Sequence, residues 1–185
     1  MVDWPVSPRD IVDFWFSEDS RKRWFRSTRE YDAMVRSRFE TVWAQARDGA
    51  LAEWERTADG ALALVILLDQ MPLNMFRDQP AGFSTEALSR AVAERAIAQG
   101  HDRDVTDDRR AFFYLPYMHS ESLADQDRAV ELFGQGGFEQ NLKWARHHRG
   151  IVQRFGRFPH RNAILGRAST PEEMQWLDSP NAFNP

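Results

Sequence analysis

The most apolar stretch of the chain covers residues 61–68, eight consecutive hydrophobic residues followed at once by polar side chains. A helix that is apolar on all sides belongs inside a protein, so we interpret this stretch as a central, buried helix. Asp69, Gln70 and Asn74 follow it, and their polar groups are carried into or beside the core, where they need hydrogen-bond partners. Pro72 lacks an N–H group and disfavours helical geometry before it, so we expect it to end or kink the helix.

Capping signals mark helix starts elsewhere in the chain. The sequences SPRD at residues 7–10 and TPEE at residues 170–173 each combine a hydroxyl cap, a proline and an acid three positions after the cap, the pattern of a helix N-terminus. Apolar residues then recur every three or four positions, and no segment alternates as a strand does. The predicted helices cover residues 7–16, 28–49, 61–68, 85–100, 108–115 with a break near Pro116, 122–133, 138–155 and 170–177.

These patterns predict an all-α protein of about eight helices packed as antiparallel pairs. A chain of 185 residues with 42% hydrophobic and 12% aromatic residues can form one domain, residues 1–185, with a sizeable core. Trp4, Trp24 and Trp176 belong either to that core or to a contact between copies, and the sequence leaves the oligomeric state open.

Composition also limits the partners and the compartment. The chain has no cysteine, no apolar run near the roughly 20 residues of a membrane span, and no signal-peptide pattern. Its net charge of −4 argues against general nucleic-acid binding. We therefore expect a cytoplasmic protein with neither a nucleic-acid nor a membrane partner.

One region departs from the acidic average. Residues 141–167 contain seven basic residues, three histidines and no acid. Several guanidinium groups can grip a carboxylate or phosphate, which indicates a small anionic ligand. The alternative is internal ion pairing with Asp69, Glu121 or Asp125. His147 and His148 lie in the middle of a helix and are expected at the surface.

Three polar clusters share one placement, just beyond a hydrophobic helix, and could converge if the helices pack side by side. They comprise Asp69, Gln70 and Asn74; His119, Glu121, Asp125 and Gln126; and Arg154, Arg157, His160, Arg161 and Asn162.

Each cluster has a structural and a chemical interpretation. Asp69 fastens loops through hydrogen bonds or acts as a ligand-orienting group or general base, and Asn74 orients a ligand or satisfies carbonyls near Pro72. His119 is a structural bridge or forms an acid/base pair with Glu121 or Asp69. A metal site from two histidines and Glu121 is poorly supported, since no HExxH pattern occurs. Neither a metal nor a cofactor is expected.

The combination of motifs resembles a known family. The segments DFWF at residues 13–16, LLDQMPLNMFR at 67–77, LPYMHSE at 115–121 and RFGRFPHRNAILGR at 154–167 are similar to those of the uncharacterised bacterial family called domain of unknown function 924. The resemblance implies an all-α, tetratricopeptide-like fold and no established reaction, substrate or cofactor. Leu73 stands where the family's usual segment, DQxPRN, has arginine, so the resemblance carries no ligand role of that arginine over to this chain.

Our sequence-based hypothesis is a helical protein that binds a small anionic or peptidic ligand in one polar pocket. Two alternatives are a hydrolase or lyase using His119 with Asp69 or Glu121, and a non-enzymatic peptide-binding adaptor. A third is a buried structural network without a cavity. The pocket would comprise Asp69, Gln70, Asn74, His119, Glu121, Arg154, His160 and Arg161, with Arg157 and Asn162 as further ligand-binding candidates.

Overall fold

The computed structural model describes residues 6–180 and 182, and within that part every regular element is helical. This confirms the all-α class with about eight main helices, whereas the tetratricopeptide-like placement stays a prediction. None of the described helices is long and apolar enough to cross a membrane. The α-helices are α1 Pro8–Trp15, α2 Glu18–Arg21, α3 Arg29–Arg47, α4 Ala58–Val65, α5 Met71–Met75, α6 Glu86–Ala98, α7 Asp107–Met118, α8 Leu123–Phe133, α9 Glu139–Phe155 and α10 Pro171–Leu177.

The predicted capping residues start their helices. Ser7 accepts the backbone N–H of Asp10, and the Asp10 carboxylate accepts the N–H of Ser7 at 2.8 Å. Thr170 begins α10 with the same reciprocal pair, while Thr28 and Ser122 cap α3 and α8 through their hydroxyl groups. These starts were predictable because each cap bonds only to residues within three positions of itself.

The described part divides into two compact units, residues 6–77 with 81–116 and residues 78–80 with 117–180 and 182. Each unit is described by itself, and the expected single domain stays a prediction. Of the tryptophans singled out above, Trp24 is half-buried and Trp176 is buried, while Trp4 lies outside the described residues.

The first unit is built around the predicted central helix. Every residue from 61 to 68 is at most 3% exposed, and both α4 and the π-helical turn that follows it contact α1 and α6. α3 packs against the same turn and against α5. The continuous apolar run is therefore buried on all sides, as its sequence predicted.

The expectation that Pro72 ends or kinks the central helix is met in part: helical residues continue past the proline, but the α-helix gives way to a π turn before it. α4 passes through a π-helical turn, Ile66–Gln70, and continues into α5, which contains the proline. Pro72 has no N–H group for the carbonyl of Leu68, four residues earlier. The hydroxyl of Thr85 donates to that carbonyl instead, at 2.6 Å. A side chain distant in sequence thus satisfies the backbone group that the proline leaves open.

Pro116 likewise lies inside α7 and does not break it, contrary to expectation. It stands two residues before the end of the helix at Met118. A proline in the last turn removes one backbone hydrogen bond, and few helical hydrogen bonds follow it. The helix therefore continues to Met118 although Pro116 has no N–H group.

The second unit contains a helical hairpin and a short covering helix. Asp127, in the first half of α8, accepts a hydrogen bond from Arg149, in the second half of α9, so these packed helices run antiparallel as predicted. A small core comprises Ile151, Val152 and Phe158 together with Trp176 of α10.

Candidate functional site

The carboxylate of Glu121, between α7 and α8, accepts three hydrogen bonds. Arg167 donates to both of its oxygens, at 2.7 and 2.9 Å, and the backbone N–H of Phe158 donates at 2.8 Å. Burial opposes the charged form, but the bonds from Arg167 and Phe158 hold the pKa of Glu121 below its usual range. Glu121 is therefore a fixed anion whose oxygens both have donors.

A second carboxylate and guanidinium pair joins Arg157, two residues after the end of α9, to Glu173 of α10. Nε and Nη2 of Arg157 donate to the two oxygens of Glu173 at 2.7 and 2.8 Å, the bidentate geometry that arginine favours. Glu173 also accepts the backbone N–H of Thr170 at 2.8 Å, as part of the α10 cap. Arg157 contributes most to lowering the pKa of Glu173, to about 2. The carboxylate therefore stays ionised although its residue is 2% exposed.

Asn162 connects the two pairs into one network. Its Oδ1 accepts from Nε of Arg167 at 3.0 Å, and its Nδ2 donates to Glu173 at 3.3 Å. The chain of contacts thus runs from Glu121 through Arg167, Asn162 and Glu173 to Arg157. The expected internal ion pairing is confirmed for Arg167 with Glu121. The sequence pattern around Glu173 predicts only a helix start, so its pairing with Arg157 is a finding of the structure.

An open cavity of about 310 Å³ shares two residues with this network. Arg154 pairs with Glu172 at 2.8 Å, with their side chains 52% and 60% exposed. The Arg154 guanidinium also lies 4.7 Å from the ring centre of Phe155. The lining residues are Arg154, Phe155, Arg157, Thr170, Glu172 and Glu173.

His160 and Arg161 lie against Phe158. The guanidinium carbon of Arg161 is 4.8 Å from the Phe158 ring centre, and the ring of His160 is 5.5 Å from it. Burial, reinforced by the charge of Arg161, lowers the pKa of His160 to about 4. His160 is therefore neutral near pH 7, so any contact that it makes with a ligand is that of a neutral imidazole.

The expectation that His148 lies at the surface is wrong. It is only 6% exposed, and its Nδ1 lies 2.8 Å from the carbonyl oxygen of Trp144. Burial lowers the pKa of His148 to about 3, and the nearby His119, His147 and His160 lower it further. Among the described residues, no group of three or more histidine, aspartate or glutamate side chains is arranged to hold a metal ion.

The polar residues after the central helix take part in contacts of the first unit. Asp69 is buried and accepts a hydrogen bond from Gln70 at 2.5 Å. Asn74 donates to Asp32 at 2.7 Å, and Arg77 donates to both Asp32 oxygens, at 2.5 and 3.3 Å. No local pattern pointed to Asp32 as a partner, because it lies on α3, 42 residues before Asn74.

The structure divides the predicted site residues between the two units. The three that follow the central helix lie in the first unit, and the other seven lie in the second. Arg154 and Arg157 are the two that line the cavity. Catalytic roles for Asp69, His119 and Glu121 stay predictions.

Comparison with known proteins decides the family. The family model described as "Bacterial protein of unknown function (DUF924)" matches residues 11–181. The chain belongs to this family. It is also similar to the solved structure of a protein of unknown function, ATU0120 from Agrobacterium tumefaciens, with 44% identity and a TM-score of 0.87 over 92% of this chain and 96% of that one. No curated protein matches the chain. The descriptions of the family and of the solved structure name neither a ligand nor a reaction.

Proposed function

We propose that the second unit binds a small ligand bearing a carboxylate or phosphate in the cavity beside α9 and α10. The observation that carries this function is Arg154, a half-exposed cation at the cavity wall whose partner, Glu172, is itself exposed. Arg154 would receive the anionic group of the ligand. We confine the proposed site to this unit.

The two arginines of the cavity differ in their availability. An exposed pair such as Arg154 with Glu172 contributes about 0–1 kcal/mol to stability, so a ligand anion can replace the Glu172 carboxylate at little cost. Arg157 is held by both oxygens of a buried carboxylate and by the carbonyl oxygen of Ala168 at 2.9 Å. Arg157 is therefore a fixed part of the cavity wall, and Arg154 is the residue that would bind the anionic group of the ligand.

The dimensions of the cavity favour a small ligand. Its volume of about 310 Å³ lies at the lower end of the range of small-molecule sites. Phe155 supplies an apolar surface beside the cation, which suits an aliphatic group next to a carboxylate. The carboxyl end of a short peptide has this combination, as does a small organic acid.

The test is titration calorimetry with trialanine, trialanine C-terminal amide and inorganic phosphate as probes. We expect trialanine to bind and the amide to bind at least about tenfold more weakly, since a charge-assisted hydrogen bond is lost. Arg154→Gln should weaken trialanine binding by a similar factor. Glu172→Gln should strengthen it, because the competing carboxylate is removed.

Arg146→Gln is the matched control, since Arg146 is an exposed arginine of α9 outside the cavity lining. Equal binding of trialanine and its amide would contradict recognition of the carboxylate. Unchanged binding by Arg154→Gln would contradict the assigned residue. Binding of phosphate alone would retain the site and assign it to phosphate-bearing ligands.

A further inference from the structure

The segment between α2 and α3 has an unusual composition for an acidic protein. Residues 21–29, RKRWFRSTR, contain five basic residues, two aromatic residues and no acid, in a chain with a net charge of −4. This basic segment includes the C-terminal residue of α2 and the first residue of α3. The composition concentrates positive charge around a pair of large aromatic rings.

The two aromatic residues of the basic segment have opposite environments. The Trp24 ring packs against Trp15, Phe16 and Phe112, with ring centres 6.3, 5.6 and 5.0 Å away, and its Nε1 donates to the Trp15 carbonyl at 3.1 Å. The adjacent Phe25 is 90% exposed, the most exposed large hydrophobic residue in the described part. Trp24 therefore anchors the segment while Phe25 projects into solvent.

The basic side chains divide in the same way. Arg21 pairs with Asp108 at 2.5 Å, and Lys22 pairs with Glu18 at 2.6 Å. Arg23, Arg26 and Arg29 are exposed, and within the described part none of the three has a side-chain hydrogen bond or a salt bridge. Three guanidinium groups without a salt bridge among the described residues therefore lie within four positions of Phe25 in the chain, and the exposed Glu30, which follows the segment, interacts electrostatically with Arg23 and Arg29.

We infer that residues 23–29 contact an anionic lipid surface, with Phe25 inserted among the lipids and Arg23, Arg26 and Arg29 bound to headgroup phosphates. A phenyl ring has no hydrogen-bonding group and gains free energy on leaving water. Basic residues gain free energy near anionic lipids. The sequence-based expectation of no membrane partner rested on the lack of a spanning segment, and attachment of a loop to the surface is a different contact.

A single-stranded nucleic acid is the main rival for a basic and aromatic surface. Such binding uses several aromatic faces on which successive bases stack. Here the half-buried Trp24 ring packs against Trp15, Phe16 and Phe112, which leaves Phe25 as the one fully exposed ring of the segment. A lone apolar side chain among arginines suits insertion into lipid better than stacking along a strand.

The test is co-sedimentation of the full chain with vesicles of phosphatidylcholine containing phosphatidylserine, against vesicles of phosphatidylcholine alone. We expect binding only to the anionic vesicles, weakened by added salt. Phe25→Ser should reduce the partition coefficient by at least about tenfold. Each of Arg23→Gln, Arg26→Gln and Arg29→Gln should reduce it roughly fivefold.

Matched controls come from the same unit. Leu88→Ser changes another exposed apolar residue, and Arg56→Gln changes an arginine whose side chain is 79% exposed; both should bind vesicles as the unchanged protein does. The thermal midpoint of Phe25→Ser should equal that of the parent chain, because a 90% exposed ring contributes little to the core. The three arginine variants test the inference independently of Phe25.

Four results would overturn this inference. They are equal binding to neutral vesicles, vesicle binding unaffected by Phe25→Ser, Phe25-dependent binding of a single-stranded oligonucleotide without vesicle binding, and a Phe25-dependent change of mass in sedimentation velocity. The last would show that a second copy of the chain covers the ring.

Discussion

At the scale of single residues, two of the glutamates that pair with arginines in the second unit, Glu121 and Glu172, differ in their surroundings. The side chain of Glu121 is 27% exposed and has donors to both oxygens, from Arg167 and Phe158. The side chain of Glu172 is 60% exposed and pairs with Arg154, which is itself 52% exposed. Water compensates an exposed charge that loses its partner, whereas a buried charge stays uncompensated.

We therefore predict unequal costs for the same substitution at these two positions. Glu121→Gln should lower the free energy of unfolding by about 2–3 kcal/mol, because Arg167 and the Phe158 N–H lose a charged acceptor. Glu172→Gln should lower it by less than about 1 kcal/mol. Urea denaturation at neutral pH measures both. Equal, small losses would mean that Glu121 is dispensable for folding and available for another role.

At the scale of helices, the central element depends on a contact from outside itself. Thr85 donates to the carbonyl oxygen of Leu68 and accepts from Nε1 of Trp43 at 3.3 Å. Ser89, one turn later on α6, makes a similar but longer bond, at 3.3 Å, to the carbonyl of Val65. α6 thus supplies hydroxyl groups where the helix changes from α to π geometry.

Thr85→Val keeps the shape of the side chain and removes its hydroxyl. We expect a loss of about 2–3 kcal/mol, since the buried Leu68 carbonyl and the Trp43 N–H both lose a partner. Ser89→Ala is the control and should cost less than about 1.5 kcal/mol, because its hydrogen bond is longer. Thermal and urea unfolding would measure the two variants. A loss for Thr85→Val no larger than that for Ser89→Ala would show that Leu68 finds another donor.

The helices also show which features of secondary structure local sequence patterns predict and which they do not. The starts at Ser7, Thr28 and Thr170 were correctly predicted because a cap hydroxyl and the backbone N–H that it accepts lie three residues apart. The passage of α7 through Pro116 and the continuation of helical residues past Pro72 were not, because a rule about one helix cannot include the neighbouring groups or the position of the last turn. The presence of the central helix was predictable from its apolar run, whereas its π turn was not.

At the scale of the whole molecule, the basic run at residues 141–167 is largely neutralised by acids outside it. Four of its arginines pair with acids outside the run: Arg149 with Asp127, Arg154 with Glu172, Arg157 with Glu173, and Arg167 with Glu121. The composition of the run left anion binding and internal pairing as alternatives, and internal pairing holds for these four. Of the two cavity arginines, Arg154 alone has an exposed partner.

The stability of the second unit depends on pH in two ranges, one set by His148 and His160 and the other by Glu173. The pKa values of His148 and His160 fall from 6.5 to about 3 and about 4 on folding, so the unfolded chain takes up protons first as pH falls below 6.5. The unfolded state is then favoured, and stability declines. The pKa of Glu173 falls from 4.5 to about 2, so its contribution is present above pH 4.5 and is lost below it.

We predict that the free energy of unfolding decreases between about pH 7 and about pH 5, in the range set by the two histidines. His148→Asn should make this decrease smaller, because an amide can donate to the Trp144 carbonyl without titrating. Urea denaturation across this range, for the parent chain and the variant, measures the difference. A parent chain whose stability is constant or rises toward pH 5 would contradict the assigned burial of the two histidines.

Local patterns in the chain were enough to predict the helical class, the buried central helix and most helix starts, because periodicity and capping act over a few residues. Internal pairing of arginines was one of two alternatives that the basic run left open. The packing of distant segments determines that Glu173 partners Arg157, that Asp32 partners Asn74 and Arg77, that His148 is buried, and that Trp24 packs against other rings while Phe25 is exposed. Each of these outcomes depends on which segments pack together, and neither composition nor local spacing predicts that packing.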